Sequence, residues 1–429
     1  MLDWLQQLTP STNLAGPTVT AYVLFDIFLV VALARILGTA MARIGQPRVV
    51  GEILAGVSLG PTLLGKDLSQ MIAPAQARPI LSAIATLALV LFMFLAGVEY
   101  EISKTKGRVG QASLLAVLSV AVPALLGFPV AGLMHSAIYA GPAGQELLPF
   151  ALFIGATLSV TAFPVMAHIL MERGELNSEM GSLGVATAGI MSVLMFTFIA
   201  FAAAVAAAKG FSDLFTKIVS IIVFALASWF VVRPLVGRAL SGMVDGERIS
   251  GNGMAIIFAG MVFYGFIGDR LDINALVGGF AWGIILPGDR AFRRVLAAKV
   301  NDVAMIFFLP IFFAIAGFST DLKLITIEAL PILALILLAA IGGKFIAVFP
   351  AKAFGLGWKE VGTLGALFNT RGLLVLVAGQ IGLQLGIITT LTFTIIVIVA
   401  LVTNVMTLPL LNYTLGPTRL LSVSVAVPE

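Results

Sequence analysis

The chain has 429 residues, 60% of them apolar and 11% charged, with a formal net charge of +4 and a mean hydropathy of +1.09. A soluble domain carries about 25% charged residues, so a soluble fold is excluded. There is no cysteine, which rules out disulfides, thiolate metal sites and cysteine nucleophiles, and the basic residues sit between apolar stretches, which leaves nucleic-acid binding without support.

Residues 1–17 are polar, contain Asp3 and Pro10 and lack a basic start, so the first helix is expected to be retained rather than cleaved as a leader. Thirteen apolar spans follow, near 18–41, 49–64, 78–98, 109–134, 148–171, 182–208, 213–236, 252–268, 273–287, 302–318, 328–351, 360–383 and 387–415. Each is expected to cross about 30 Å of hydrocarbon as helix. Connections after the odd-numbered spans, and the tail, hold most basic residues, among them Arg43, Arg48, Lys104, Arg173, Arg238, Arg293, Lys359 and Arg419; the opposite side has Lys66, Arg78, Lys209, Lys217, Arg270 and Lys323. That imbalance predicts an integral protein of the plasma (inner) membrane with the N-terminus outside and the C-terminus in the cytoplasm.

Internal repetition organises the spans. Leu91-Phe-Met-Phe-Leu-Ala-Gly-Val-Glu-Tyr-Glu-Ile102 aligns without gaps on Ile311-Phe-Phe-Ala-Ile-Ala-Gly-Phe-Ser-Thr-Asp-Leu322, Val50-Gly-Glu-Ile-Leu-Ala-Gly-Val-Ser-Leu59 resembles Val277-Gly-Gly-Phe-Ala-Trp-Gly-Ile-Ile-Leu286, and Gly155-Ala156 resembles Gly365-Ala366. These matches pair spans 2 with 9, 3 with 10 and 5 with 12. The offset is odd, so matched helices run in opposite directions and the repeat is inverted, a transporter device that places a site at the midplane. The expected organisation is an N-terminal extracellular segment 1–17, a first repeat 18–208, a linking segment 209–251, a second repeat 252–415 and a cytoplasmic tail 416–429.

Span 5 is interrupted at Pro164 just after Ser159 and Thr161, and span 12 carries Asn369-Thr370-Arg371-Gly372 at the corresponding depth. Breaks flanked by polar groups in both repeats point to a site where unwound backbone and half-helix dipoles meet an ion; either break alone is also consistent with a packed kink.

Four motifs then carry a resemblance. Gln46-Pro-Arg-Val-Val-Gly-Glu-Ile-Leu-Ala-Gly-Val-Ser-Leu-Gly-Pro-Thr-Leu-Leu-Gly65, Ser159-Val-Thr-Ala-Phe-Pro-Val-Met-Ala-His-Ile-Leu170, Pro310-Ile-Phe-Phe-Ala-Ile-Ala-Gly317 and Asn369-Thr-Arg-Gly372 resemble the monovalent cation:proton antiporter-2 family, which includes Kef-type potassium efflux proteins and plant cation/H+ exchangers. The resemblance covers nearly the whole chain. It implies an all-α membrane fold with two inverted repeats, unwound helices (spans 5 and 12) crossing at the midplane, a core rocking against a dimerisation domain, and a homodimer. No nucleophile-base constellation, phosphate loop or metal-ligand spacing appears in the sequence, so no cofactor or resident metal is expected.

One position departs from the family. The family's ion-binding aspartate, in an Asn-Asp or Asp-Asp pair, falls on Met191-Ser192, and span 6 from Gly181 to Ala208 contains no acidic residue. Lys344 resembles the lysine that pairs with the first residue of that motif in some members. An unpaired lysine at the membrane centre costs about 2.5–3.5 kcal/mol, so it either bonds broken-helix carbonyls or takes a substrate- or proton-linked role. Arg371, Asn369, Thr370, Ser159 and Thr161 either satisfy unwound backbone or contact a ligand. Asp26 in span 1, Glu52 early in span 2 and His168 after the break of span 5 are secondary candidates.

The predicted function is therefore a proton-coupled antiporter for a monovalent cation or a small organic solute, with Met191, Ser192 and Lys344 in place of the usual site. A carrier fold converted to a membrane-embedded enzyme or a binding site for a hydrophobic small molecule, and an inactive or sensor homologue, are the alternatives.

Overall fold

A chain in hydrocarbon has no water to bond its backbone, and a helix satisfies that backbone within one segment. The computed structural model describes residues 16–416 apart from 45, 47, 73, 75, 103–108, 145, 176–177, 209, 246–247, 272–274 and 287–289. Most of the expected N-terminal segment and tail, together with Lys104, Lys209 and Arg419, thus lie outside the described residues.

In chain order the helices are α1 (Gly16–Arg43), α2 (Arg48–Leu59), α3 (Pro61–Ile72), α4 (Arg78–Ile102), α5 (Val109–Met134), α6 (Leu147–Ser159), α7 (Phe163–Glu172), α8 (Glu179–Ala207), α9 (Phe211–Ala227), α10 (Arg233–Leu240), α11 (Gly251–Arg270), α12 (Ala275–Ile285), α13 (Arg290–Val303), α14 (Leu309–Phe318), α15 (Leu330–Val348), α16 (Trp358–Phe368), α17 (Gly372–Gln384) and α18 (Thr390–Leu415). Single π-turns, Ser228–Val232 and Ala304–Phe308, join α9 to α10 and α13 to α14. Each of the thirteen expected spans is occupied by helix.

Among the described residues, nine helical stretches are long and apolar enough to cross a membrane. They correspond to spans 1, 3, 4, 6, 7, 8, 10, 11 and 13. The other four spans form two repeat-related pairs: spans 2 and 9 begin with the short helices α2 and α12, and spans 5 and 12 are broken, as α6/α7 and α16/α17. The length of each span therefore follows the repeat.

Two glycine contacts show the same symmetry at atomic level. A Cβ at Gly56 on α2 would lie 1.9 Å from the Phe313 carbonyl oxygen, and one at Gly317 on α14 would lie 1.9 Å from that of Gly56. A Cβ at Gly97 on α4 would lie 2.3 Å from the Phe280 oxygen, and one at Gly283 on α12 would lie 2.2 Å from that of Phe94. Gly56 is the repeat counterpart of Gly283, and Gly97 that of Gly317. The α2–α14 contact is thus the inverted image of the α12–α4 contact, and both bring backbone onto backbone, which small residues permit in membranes.

The cytoplasm-predicted ends of α4 and α12 are tied by a buried residue. Arg293 on α13 donates from Nη1 to the Val98 and Gly283 oxygens at 3.2 and 3.1 Å, and from Nη2 to the Ile284 oxygen at 3.2 Å and to the Leu286 oxygen. These carbonyls lie at helix C-termini, where a cation complements the dipole.

Gly56→Ala and its counterpart Gly283→Ala are expected to destabilise by about 1–3 kcal/mol each, because close-packed backbone has to separate. Gly342, whose Cβ would meet nothing within 4 Å, is expected to accept alanine with a gain of up to about 1 kcal/mol from helix propensity. Thermal unfolding of the purified variants checks both.

Candidate functional site

The site is built from the two broken spans. α6 ends at Ser159 and α7 begins at Phe163; α16 ends at Phe368 and α17 begins at Gly372. Pro164 falls in the first turn of α7, where its missing N–H deprives no helical bond. Gly372 has φ 48°, with Ala162 Cβ 3.0 Å from where its own Cβ would be, so conformation and space both require glycine there.

The breaks bond to each other. The Ala162 amide donates to the Thr370 carbonyl oxygen at 2.7 Å, and the Thr161 hydroxyl donates to the Phe368 oxygen at 2.6 Å. The Gly372 amide donates to Asn404 Oδ1 on α18 at 3.1 Å, and the Thr370 and Thr407 hydroxyls lie 3.2 Å apart. Ser159 donates to the Gly155 and Val120 oxygens at 2.8 and 2.7 Å.

Both buried cations close on the same half-helix. Lys344 Nζ donates to the Ser159 oxygen at 2.6 Å and the Ser119 oxygen at 2.8 Å. Arg371 Nη1 donates to the Leu158 oxygen at 2.6 Å and the Thr157 oxygen at 3.3 Å, and its Nη2 donates to the Ala340 oxygen at 2.7 Å. Both side chains are 0% exposed. Thr157, Leu158 and Ser159 end α6, so two positive groups sit at the negative end of its dipole. Among the described residues, neither cation bonds a carboxylate.

Met191 and Ser192 lie buried on α8, and Met191 belongs to a cluster that includes Phe163, Met166, Leu364, Leu367 and Phe368. Met191 therefore packs among the elements that form the crossing, while among the described residues the Ser192 hydroxyl bonds back to the Ala188 oxygen at 2.9 Å. Asn369 is 0% exposed and neither its Oδ1 nor its Nδ2 has a hydrogen-bond partner among the described residues; the same holds for Thr187 Oγ1 on α8.

Ser159, Thr161, Thr370, Lys344 and Arg371 thus meet at one crossing, with Asn369 in the same break. The secondary candidates do not join them. Asp26 is buried on α1 with both oxygens unpartnered among the described residues, in the stripe of Val19, Val23 and Val30 that packs on α4 and α14 residues such as Leu81, Ile311 and Ala314. Glu52 is half-buried on α2, with Arg35 and Arg48 near enough to act on its charge. His168 lies on α7, and its side chain is outside the described residues.

Several members of the site were not singled out from the sequence. Asn404 and Thr407 stand three residues apart in the threonine-rich last span, so their spacing puts two polar groups on one helix face, a signal that was present. Thr187 precedes Met191 by one turn. Ser119 and Ala340 contribute backbone oxygens alone, for which side-chain patterns carry no signal.

The guanidinium of Arg371 satisfies three carbonyls that hydrocarbon leaves without an alternative. Arg371→Met is expected to lower stability by on the order of 3–5 kcal/mol, and Arg371→Lys, which keeps charge but loses the planar fork, by less. Thermal unfolding of detergent-solubilised protein measures the difference.

The arrangement matches known proteins. The fold is similar to the sodium proton antiporter MjNhaP1 from Methanocaldococcus jannaschii, with a TM-score of 0.64 over 93% of this chain and 98% of that one at 13% identity. In sequence the chain is 31% identical to cation/H(+) antiporter 20 of Arabidopsis thaliana over 91% of its own length, and it spans about half of that protein, 48%. It is 34% identical over 393 residues to the Na(+)/H(+) antiporter NhaS4 of Synechocystis sp., covering 90% of this chain and 96% of that one. The family model described as sodium/hydrogen exchanger, transmembrane, matches residues 28–412. The crossed, broken helices are thus those of an integral membrane exchanger scaffold, and the chain belongs to the sodium/hydrogen exchanger family.

Proposed function

We propose that this chain is a monovalent cation/proton antiporter of the plasma (inner) membrane, with Lys344 as the group that carries the exchanged proton. Family membership supports the class of activity, and the fully buried Lys344, bonded to the breaking helix end at Ser159 and to Ser119, supports the assignment. Relatives named Na(+)/H(+), K(+)/H(+) and cation/H(+) antiporters support a cation and a proton as the exchanged pair.

An ammonium at the crossing and a cation bound beside it repel strongly in low dielectric: two unit charges 4 Å apart interact by about 4 kcal/mol at an effective dielectric of 20. Cation binding therefore favours release of the lysine proton, and protonation expels the cation. This is competition through charge rather than through a shared carboxylate, and it suits a span 6 that offers Met191 and Ser192. Arg371 stays charged and holds the end of α6 in either state.

In this reading residues 18–208 and 252–415 are the two repeats, linked by 209–251. The crossing bundle rocks against spans 1–3 and 8–10 to open alternately to each side, in a homodimer with the N-terminus outside. The basic residues predicted on the cytoplasmic side support that orientation.

Purified protein in proteoliposomes, with an internal pH dye, is expected to release an imposed pH gradient when sodium, potassium or lithium is added. Lys344→Met is expected to reduce cation-driven proton flux on the order of 100-fold or more while the protein still folds. Absence of flux with all three cations would overturn the reading, and wild-type flux in folded Lys344→Met would overturn the assignment of the proton.

A further inference from the structure

The polar groups of the crossing divide into those already bonded and those not. Thr161, Ser159, Ser192, Thr370, Lys344 and the Asn404 Oδ1 all have partners. Among the described residues Ser119 Oγ on α5, Arg371 Nε and Asn404 Nδ2 do not, and neither do the Asn369 carboxamide and the Thr187 hydroxyl, whose side chains are both 0% exposed. A buried polar atom left unbonded is costly, so a partner is expected for each.

Asn369 and Thr187 lie on neighbouring elements at corresponding height. A Cβ at Gly184 on α8 would lie 3.3 Å from Leu367 Cδ1 on α16. Spans 6 and 12 are separated by an even number of spans, so α8 and α16 run in the same direction. The turn after Gly184, which carries Thr187, therefore comes alongside the residues after Leu367, where Asn369 begins the break. Thr187 also shares the flank of α8 that carries Gly184 and Met191, since positions 184, 187 and 191 fall on one side of a helix.

We infer that Asn369 Oδ1 and Thr187 Oγ1 are cation-contacting oxygens that set ion preference, and that this site takes potassium in preference to sodium or lithium. The inference rests on the antiporter reading above and deepens it. Amide and hydroxyl oxygens are neutral dipoles of weak field. A carboxylate is a strong-field ligand that favours the small cation whose dehydration is costly, whereas neutral oxygen dipoles of weaker field, as in potassium filters, shift the balance towards a larger cation. With Met191-Ser192 on α8 and no acidic residue from Gly181 to Ala208, the oxygens that α8 and the α16/α17 break offer here are neutral.

The test is cation-driven proton flux in proteoliposomes of the full chain with potassium, sodium and lithium, together with cation-dependent thermal stability. The KM for potassium is expected to be at least about fivefold below that for sodium. Thr187→Val and Asn369→Leu are each expected to raise the potassium KM about tenfold, as the loss of one polar contact of about 1.4 kcal/mol predicts, and Thr187→Ser is expected to restore it. Asn369→Asp, by supplying a carboxylate, is expected to move the preference towards sodium and lithium. Should Asn369→Leu fail to fold, the Thr187→Val and Thr187→Ser pair decides the matter. Sodium or lithium preferred by the unaltered protein, or ion preference unchanged in folded Thr187→Val and Asn369→Asp, would overturn this inference while leaving the antiporter reading intact. Flux with no cation at all would overturn that reading instead.

Discussion

Every backbone amide and carbonyl inside hydrocarbon needs a partner within the protein, and this chain interrupts two of its helices at buried positions. The interruptions survive because they bond one another and because Lys344 and Arg371 donate to five carbonyl oxygens around the end of α6. Each bond to a charged donor contributes about 1.5–3 kcal/mol. Neighbouring elements complete this arrangement: α5 and α15 supply the oxygens of Ser119 and Ala340, and α18 supplies Asn404 and Thr407.

Around the crossing, glycines permit the packing. Gly56 against α14 and Gly283 against α4 are equivalent under the inverted repeat, so the same backbone-to-backbone contact is made twice with opposite polarity. The two contacts join span 2 to span 10 and span 3 to span 9 through van der Waals contact and backbone proximity, and the buried Arg293 adds hydrogen bonds to the Val98 and Gly283 carbonyls at the end of the second. The polar groups of the crossing lie on the broken spans and on α5, α8, α15 and α18.

The electrostatics of the crossing differ from those of a site built on an acidic pair. Two cations at the negative end of one half-helix are partly compensated by its dipole, worth about half an elementary charge, and their bonds go to carbonyls. In the proposed mechanism an ion arriving there meets neutral oxygens and a lysine that exchanges a proton, and coupling rests on charge repulsion across a short distance in low dielectric, without both ions occupying one atom.

Much of this was legible beforehand. Uninterrupted apolar length specifies spans, lysine and arginine bias predicts orientation, and the matched glycines of Leu91–Ile102 and Ile311–Leu322 already announce an inverted repeat, because each depends on local composition or on one-dimensional spacing. Pro164 and Asn369–Gly372 mark the breaks for the same reason: proline and glycine alter the backbone wherever they stand. Lys344 was open between bonding broken-helix carbonyls and a substrate- or proton-linked role, and Arg371 between satisfying unwound backbone and contacting a ligand. Tertiary structure gives the partners of both, the main-chain oxygens of Ser119, Ser159, Leu158 and Ala340, which no side-chain pattern marks because a carbonyl is the same in every residue. The unbonded state of Asn369 and Thr187 is likewise a property of what surrounds them. Sequence by itself determined where helices run and where they fail; only the fold decided which broken ends meet, because hydrogen bonds between segments far apart in the chain depend on packing that no local pattern encodes.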